Sequence, residues 1–389
     1  MANDVTVIDF SSSGIRVVVG YFFEGKCYVL DAMEGEAIPL DIHGFLEKKK
    51  SEESLHYLLS AVSNKLKRDP GLVIPLYPAD GFTVKSANGI STTVDPTGQI
   101  TQVDFTNCSN MIEKEVRQEG KRFLFDEPTL FLDDSKNRYF DFPLGKISDS
   151  LDVMANGILI DDESYKHYRQ ILLDLNLDIY FELAAPQAAT LLFNLFGAPK
   201  EYLGVDLEKD YTYFSYVTKG HIKSAKRSSY GMDNLIASSS EELGLSSERT
   251  RELLNLFGMR SKSGFSYMTP DKKTLEDTSS AFRSAFLPLI QEAEDFLAET
   301  SSTKGVQAIF YGPGSDIENL ASTLESGLRI PVSTFLPKVI GARSKVFLNA
   351  LGAIRASDFP YLPSYSEVEK RKGHQGLENT TFQRVSSKR

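Results

Sequence analysis

Val5-Thr6-Val7-Ile8-Asp9-Phe10-Ser11-Ser12-Ser13-Gly14-Ile15-Arg16 reads as two β-rich segments joined by a turn of small residues. The first strand ends on a carboxylate, Asp9, and the turn offers hydroxyls and peptide N–H groups. A carboxylate there can hold a metal-bound water, and oriented turn amides make an anion site. Three serines also populate an ordinary exposed turn, so the stretch alone leaves both readings open. Roughly 200 residues on, the same succession returns: a strand from Tyr202 to Asp206 and Leu207, an acidic turn, a strand from Tyr211 to Val217, the Lys219-Gly220 turn and a strand from His221 to Ala225. Such a repeat is what a duplicated, two-lobed α/β fold produces.

Composition bounds the rest. With 389 residues, the chain can bury more than one core. Its formal charge of −10 gives no long-range field that would concentrate nucleic acid. Cys27 and Cys108 lie far apart without a CxxC pattern, and no apolar run is long enough to span a bilayer, so a cytoplasmic protein with at most peripheral membrane contact is expected. The five histidines never share metal-site spacing, and neither a GxSxG elbow, a GxxxxGK[ST] loop nor a GxGxxG fingerprint occurs.

Apolar residues at spacings of three and four predict a helix over Ser54 to Lys67, and others over Asp162 to Leu175, Asn234 to Phe257, Leu275 to Ala298 and Phe347 to Ala356. Pro288 is expected to kink or break the fourth of these. Between the first two, strands are expected over Thr83 to Ser86, Ser91 to Val94 and Gln99 to Val103, with Asn88-Gly89 as a hairpin turn. A helix over Asn107 to Glu119 and strands over Phe123 to Leu132 and Arg138 to Asp141 complete a small α+β insertion. Pro186 opens a further helix. Gly312-Pro313-Gly314-Ser315-Asp316 follows an apolar strand, where glycines either admit a flat ligand or merely shape the loop.

In their order, Asp9 to Arg16, the insertion, Pro186-Gln187-Ala188-Ala189, Asp206 to Thr212, Gly231-Met232-Asp233, Gly312-Pro313-Gly314 and Ala350-Leu351-Gly352 resemble the actin, heat-shock-protein-70 and sugar-kinase superfamily. Within it the chain is most similar to the cell-division protein FtsA and its relative PilM. The resemblance implies an α/β, two-lobed actin-like ATPase fold with a small α+β FtsA-type insertion subdomain. It places residues 1–70, 149–200 and 345–360 in the first lobe, 71–148 in the insertion, 201–344 in the second lobe and 361–389 in a basic flexible tail.

The same resemblance implies ATP and Mg2+ in the cleft, bound weakly or structurally. Asp9 and Asp206 would face each other there as metal-water carboxylates. Ser11, Ser12 and Ser13 would form the first phosphate loop, with Arg16 as the basic residue after it. Thr212 would belong to the second loop, Gly231 and Asp233 to the GGD turn, and Gly312, Gly314 and Ser315 to the adenosine side.

This sequence departs from the pattern, however. The family's DxGGGxT run appears as Asp206-Leu207-Glu208-Lys209-Asp210-Tyr211-Thr212, without a glycine and with two carboxylates of the wrong sign for phosphate. Met232 replaces the second glycine of GGD, and Leu254 and Arg251 stand about where the family carries a lysine and a glutamate near the ribose and base. A degenerate ATPase is the consequence.

As a function, the resemblance implies an FtsA-like scaffold in cell division and septum formation. It would link the C-terminal peptide of an FtsZ-like filament protein to other division proteins at the inner face of the membrane, with self-polymerisation. The alternatives are a PilM-like scaffold for pilus or secretion assembly and an active ATPase or sugar kinase. Lys370 to Arg389 carries six basic residues against Glu378, a sign that suits weak contact with anionic lipid.

Overall fold

The computed structural model describes residues 4–40, 44–259, 275–300, 305–335 and 345–362. The basic tail expected over Lys370–Arg389 lies outside them. In chain order come β1 (Val5–Asp9), β2 (Gly14–Phe23), β3 (Lys26–Ala37), α1 (Lys48–Leu66) and β4 (Val73–Tyr77). A second group is β5 (Thr83–Thr92), α2 (Gln102–Val116), β6 (Lys121–Asp133), β7 (Arg138–Tyr139) and β8 (Ser150–Asp161). Then follow α3 (Asp162–Asp174), β9 (Leu183–Ala184), α4 (Ala185–Leu195), β10 (Glu201–Leu207), β11 (Thr212–Thr218) and β12 (His221–Ser228). The remaining elements are α5 (Met232–Leu243), α6 (Ser247–Phe257), α7 (Leu275–Thr300), β13 (Gln307–Tyr311), α8 (Leu320–Leu328), β14 (Val332–Thr334) and α9 (Leu348–Ala356).

Two sheets repeat one topology. The first runs β3-β2-β1-β4-β9 and the second β12-β11-β10-β13-β14. In each, an antiparallel three-strand meander is extended by parallel strands, β4 on β1 and β13 on β10. The strands that carry the turn carboxylates, β1 and β10, are therefore central. They are buried throughout apart from Glu201, as strands with both faces covered must be. The apolar core is correspondingly split. One cluster gathers the first sheet with α1, α3, α4 and α9, the third sheet with α2, and one face of the second sheet, while another gathers the other face of the second sheet with α5, α6, α7 and α8.

A third sheet, β5-β8-β6-β7, carries α2 on one face. Its limits differ from the expected 71–148 insertion at both ends. β4 belongs to the first sheet, and β8 pairs over Ser150 to Leu159 with β5 in the third. Local pattern in β4 and β8 does not announce which sheet each strand joins.

Several local expectations are corrected. No hairpin turns at Asn88-Gly89: β5 runs straight through, Asn88 opposite Met154 and Gly89 opposite Val153. The glycine is there for space, since a Cβ at Gly89 would lie 2.2 Å from the Cys108 carbonyl oxygen of α2. The strand expected over Gln99 to Val103 is instead the start of α2, where Asp104 accepts from the Thr101 N–H at 2.8 Å in a capping box. Gly244, in the left-handed region at φ 64°, ends α5 and divides the helix expected over Asn234 to Phe257. Of the kink or break expected at Pro288, the break does not occur: α7 continues through it.

Candidate functional site

The turn after β1 and the turn after β10 meet with α9. Asp9 and Arg16 lie opposite each other in the β1–β2 register, which sends both toward the β10–β11 turn. There Arg16 donates from Nη1 and Nη2 to the two carboxylate oxygens of Glu208, at 2.9 and 2.7 Å. Its Nε donates to Glu34 on β3 at 2.8 Å, and Nη1 lies 3.9 Å from Asp9. The Ser11 N–H donates to Asp9 Oδ1 at 2.8 Å. From α9, Asn349 Nδ2 donates to Ser11 Oγ and to Asp206 Oδ2, each at 3.2 Å. Asp9 and Asp206 are thus brought into one cluster, across which the two sheets are tied.

The cluster is dry. Arg16 and Glu208 are each 1% exposed, Asp9 is fully buried and Asp206 is 2% exposed. Burial pushes the carboxyls of Asp9, Asp206 and Glu208 upward, against the pull of Arg16. Asp206 stands well above the usual range, because burial and the neighbouring Glu208 act together. Burial alone would lower the Arg16 guanidinium, but Glu208, Asp9 and Glu34 more than reverse that, so Arg16 stays charged. One fixed cation faces several buried carboxyls that cannot all ionise.

Most of the other expected residues pack against or bond to the fold itself, whereas Ser13 Oγ is a buried hydroxyl without a hydrogen-bond partner. The Gly312 backbone, at φ 78°, packs against the carboxylate of Asp206: a Cβ there would lie 2.1 Å from Oδ1. Gly314 packs on the Leu207 side chain, and Gly231 on the backbone of Asp210 and Tyr211. Ser315 Oγ donates to the Gly312 carbonyl at 2.8 Å, and Thr212 Oγ1 to the Tyr230 carbonyl at 2.7 Å. Ser12 and Ser13 are buried. Asp233 is half-exposed, its carboxylate accepts from Arg251 at 2.8 Å and its backbone N–H donates to the Lys209 carbonyl at 2.9 Å, while Leu254 is core. In the second loop Tyr211 is buried edge-on against Tyr213, with ring centroids 5.2 Å apart, next to the three positions where the family carries glycine.

These residues, as arranged, do not fit a magnesium-bound triphosphate. Asp9 Oδ2, Asp206 Oδ1 and Asn349 Oδ1 lack hydrogen-bond partners, and oxygen atoms of this kind suit Mg2+. The charge such an ion would supply is already provided by Arg16, however. Among the described residues no group of three or more His, Cys, Asp or Glu is placed to hold a metal. Two large cavities, of about 930 and 950 Å3, include none of the expected site residues in their linings.

Sequence reasoning missed Asn349, Glu34 and the role of Glu208. A signal for Glu208 existed, because Arg16 sits between Ile15 and Val17 in a run that is otherwise apolar. A cation there has to be buried, and a buried cation demands a carboxylate.

No family model matches the chain, and no curated protein matches it. Solved structures do. PilM in a PilM–PilN type IV pilus biogenesis complex superposes with a TM-score of 0.58 at 13% identity, over 90% of this chain and 97% of that one. MreB5 of Spiroplasma citri bound to ADP gives 0.52 at 9% identity, over 97% and 99%. The ethanolamine utilization protein EutJ from Carboxydothermus hydrogenoformans gives 0.51 at 10% identity, over 91% and 89%. With its duplicated β3-β2-β1-β4-β9 topology and the carboxylates on its two central strands, the chain has the actin-like ATPase fold.

Proposed function

We propose that this chain is an actin-like assembly scaffold whose two lobes are held together by an internal charge pair instead of by nucleotide. The observation that carries the reading is the bidentate, buried Arg16–Glu208 pair, which ties β2 to the turn after β10. A triphosphate would have to open that pair before its phosphates could reach the turn amides, which makes ATP binding weak and turnover slow or absent. An active ATPase or sugar kinase is disfavoured for the same reason. Calorimetric titration with ATP and Mg2+, paired with a phosphate-release assay, tests this: weak heats and no release are expected, and rapid release would overturn it.

For the scaffold's setting, cell division remains one reading. The third sheet would serve as an FtsA-type insertion, an FtsZ-like C-terminal peptide as the partner, and the basic tail as a salt-sensitive contact with anionic lipid. The likeness to PilM in complex with PilN favours a second, a scaffold for pilus or secretion assembly that holds a short cytoplasmic segment of a membrane protein. Parallel titrations with the two kinds of peptide decide between them. For the tail, co-sedimentation with anionic liposomes should fall on truncation after Val368 and on raising salt.

A further inference from the structure

The cavity of about 950 Å3 lies between the third sheet and the β11–β12 hairpin. Its floor is the sheet face opposite α2, to which β5 contributes Ser86 and Asn88, and β8 Met154 and Asn156, in direct register. Its far wall is the hairpin turn, anchored by the Gly220 N–H donating to the Lys200 carbonyl at 3.0 Å and by Asn194 Nδ2 donating to the Gly220 carbonyl at 2.6 Å. Two features of the lining stand out against a chain of net charge −10.

The first is charge. Arg138, Lys200, Lys219 and Lys223 converge on the groove against a single lining carboxylate, Glu115. Among the described residues none of the four cations has an ion-pair partner, and Lys223 reaches only Asn156 Oδ1, at 3.5 Å. The second is apolar surface, with Phe140 83% exposed and Met154 41% exposed inside the same opening. A cluster of unpaired cations beside exposed apolar side chains is a surface short of its complement.

We infer that this groove docks a short acidic peptide segment of a partner protein, its carboxylates meeting Arg138, Lys200, Lys219 and Lys223 and an apolar side chain seated on Phe140 and Met154. The chain's own tail has the wrong sign, with six basic residues and one acidic over Lys370–Arg389. A flat bilayer cannot enter a concavity walled by a sheet and a hairpin. The inference deepens the scaffold reading and rests on it. Phosphate release would sink that reading while leaving peptide selection intact, so the two failures are distinguishable.

The test is selection of a displayed random-peptide library on the full chain, followed by fluorescence anisotropy of the winning peptide. The expected winner is rich in Asp and Glu and carries at least one aromatic or aliphatic residue, and its affinity falls as salt rises. Lys219→Glu with Lys223→Glu should weaken it by about tenfold or more, and Phe140→Ala several-fold. Lys49→Glu, on the exposed surface of α1, should leave it unchanged. Melting curves check the fold of each variant, and Arg138→Gln with Lys200→Gln serves if the charge reversal does not fold. A basic or uncharged winner, no enrichment, or affinity indifferent to both double variants would overturn the proposal. So would self-association abolished by the same substitutions, which would assign the groove to a second copy of the chain.

Discussion

At the scale of single residues, the decisive group is Arg16. Removing it leaves Asp9, Asp206 and Glu208 buried without their cation, whereas removing Glu208 leaves Arg16 with Glu34 at 2.8 Å and Asp9 at 3.9 Å. Arg16→Met is therefore expected to cost about 3–5 kcal/mol and Glu208→Gln about 1–3 kcal/mol. Denaturant titration should give that order, and the cost of Arg16→Met should shrink toward acid pH as the upward-shifted carboxyls protonate. Asp126 offers a cleaner titration. It is 2% exposed on β6, accepts from Ser109 Oγ at 2.9 Å, and burial pushes its carboxyl up to about 6. Since the folded value lies above the unfolded one of 3.8, its stabilising share is complete below pH 3.8 and is lost as pH rises through about 6. Asp126→Asn, which keeps the acceptor, should thus gain on the wild type by on the order of 2 kcal/mol between pH 4 and pH 7.5. A stability difference that is flat across that range would show the carboxyl to be solvated.

At the scale of elements, close approaches decide what periodicity cannot. The motifs around Gln187 and Gly352 are far apart in sequence, yet α4 and α9 cross where a Cβ on Gly352 would lie 1.8 Å from the Ala188 carbonyl oxygen. Helix propensity alone would make Gly352→Ala stabilising by about 1 kcal/mol. Overpacking at the crossing costs about 1–3 kcal/mol, so net destabilisation is expected, read as a lower melting temperature. The same logic explains which elements the sequence shows. Helices α1 and α3 are legible because their apolar stripes repeat at three and four residues. The straight course of β5 was not, because Gly89 looks like a turn residue until α2 lies against it. Candidate site residues were legible one at a time, from strand ends and glycines. Their pairing was not, since Arg16 and Glu208 are 192 positions apart and only the assembled sheets bring them together.

At the scale of the whole molecule, the duplicated sheets put one half of the charge pair in each lobe, Arg16 on β2 and Glu208 after β10, with Asn349 bridging Ser11 to Asp206. A ligand moves such a two-lobed molecule only by the difference in its affinity for the open and closed arrangements. Shifting a population from 1:99 to 99:1 takes about 5.5 kcal/mol. On the scaffold reading, a triphosphate would have to separate a buried, bidentate pair first, which would make nucleotide a poor switch. Partner binding and any self-association should accordingly be the same with and without ATP and Mg2+. Small-angle scattering should give an unchanged radius of gyration, near the roughly 21 Å of a compact chain of this length. Arg16→Met, by contrast, should enlarge that radius and speed hydrogen exchange in the turns after β1 and β10, because the tie between the lobes is then missing. A wild-type chain that contracts or assembles on addition of ATP, with Arg16→Met behaving identically, would place the closing force in the nucleotide and not in the pair.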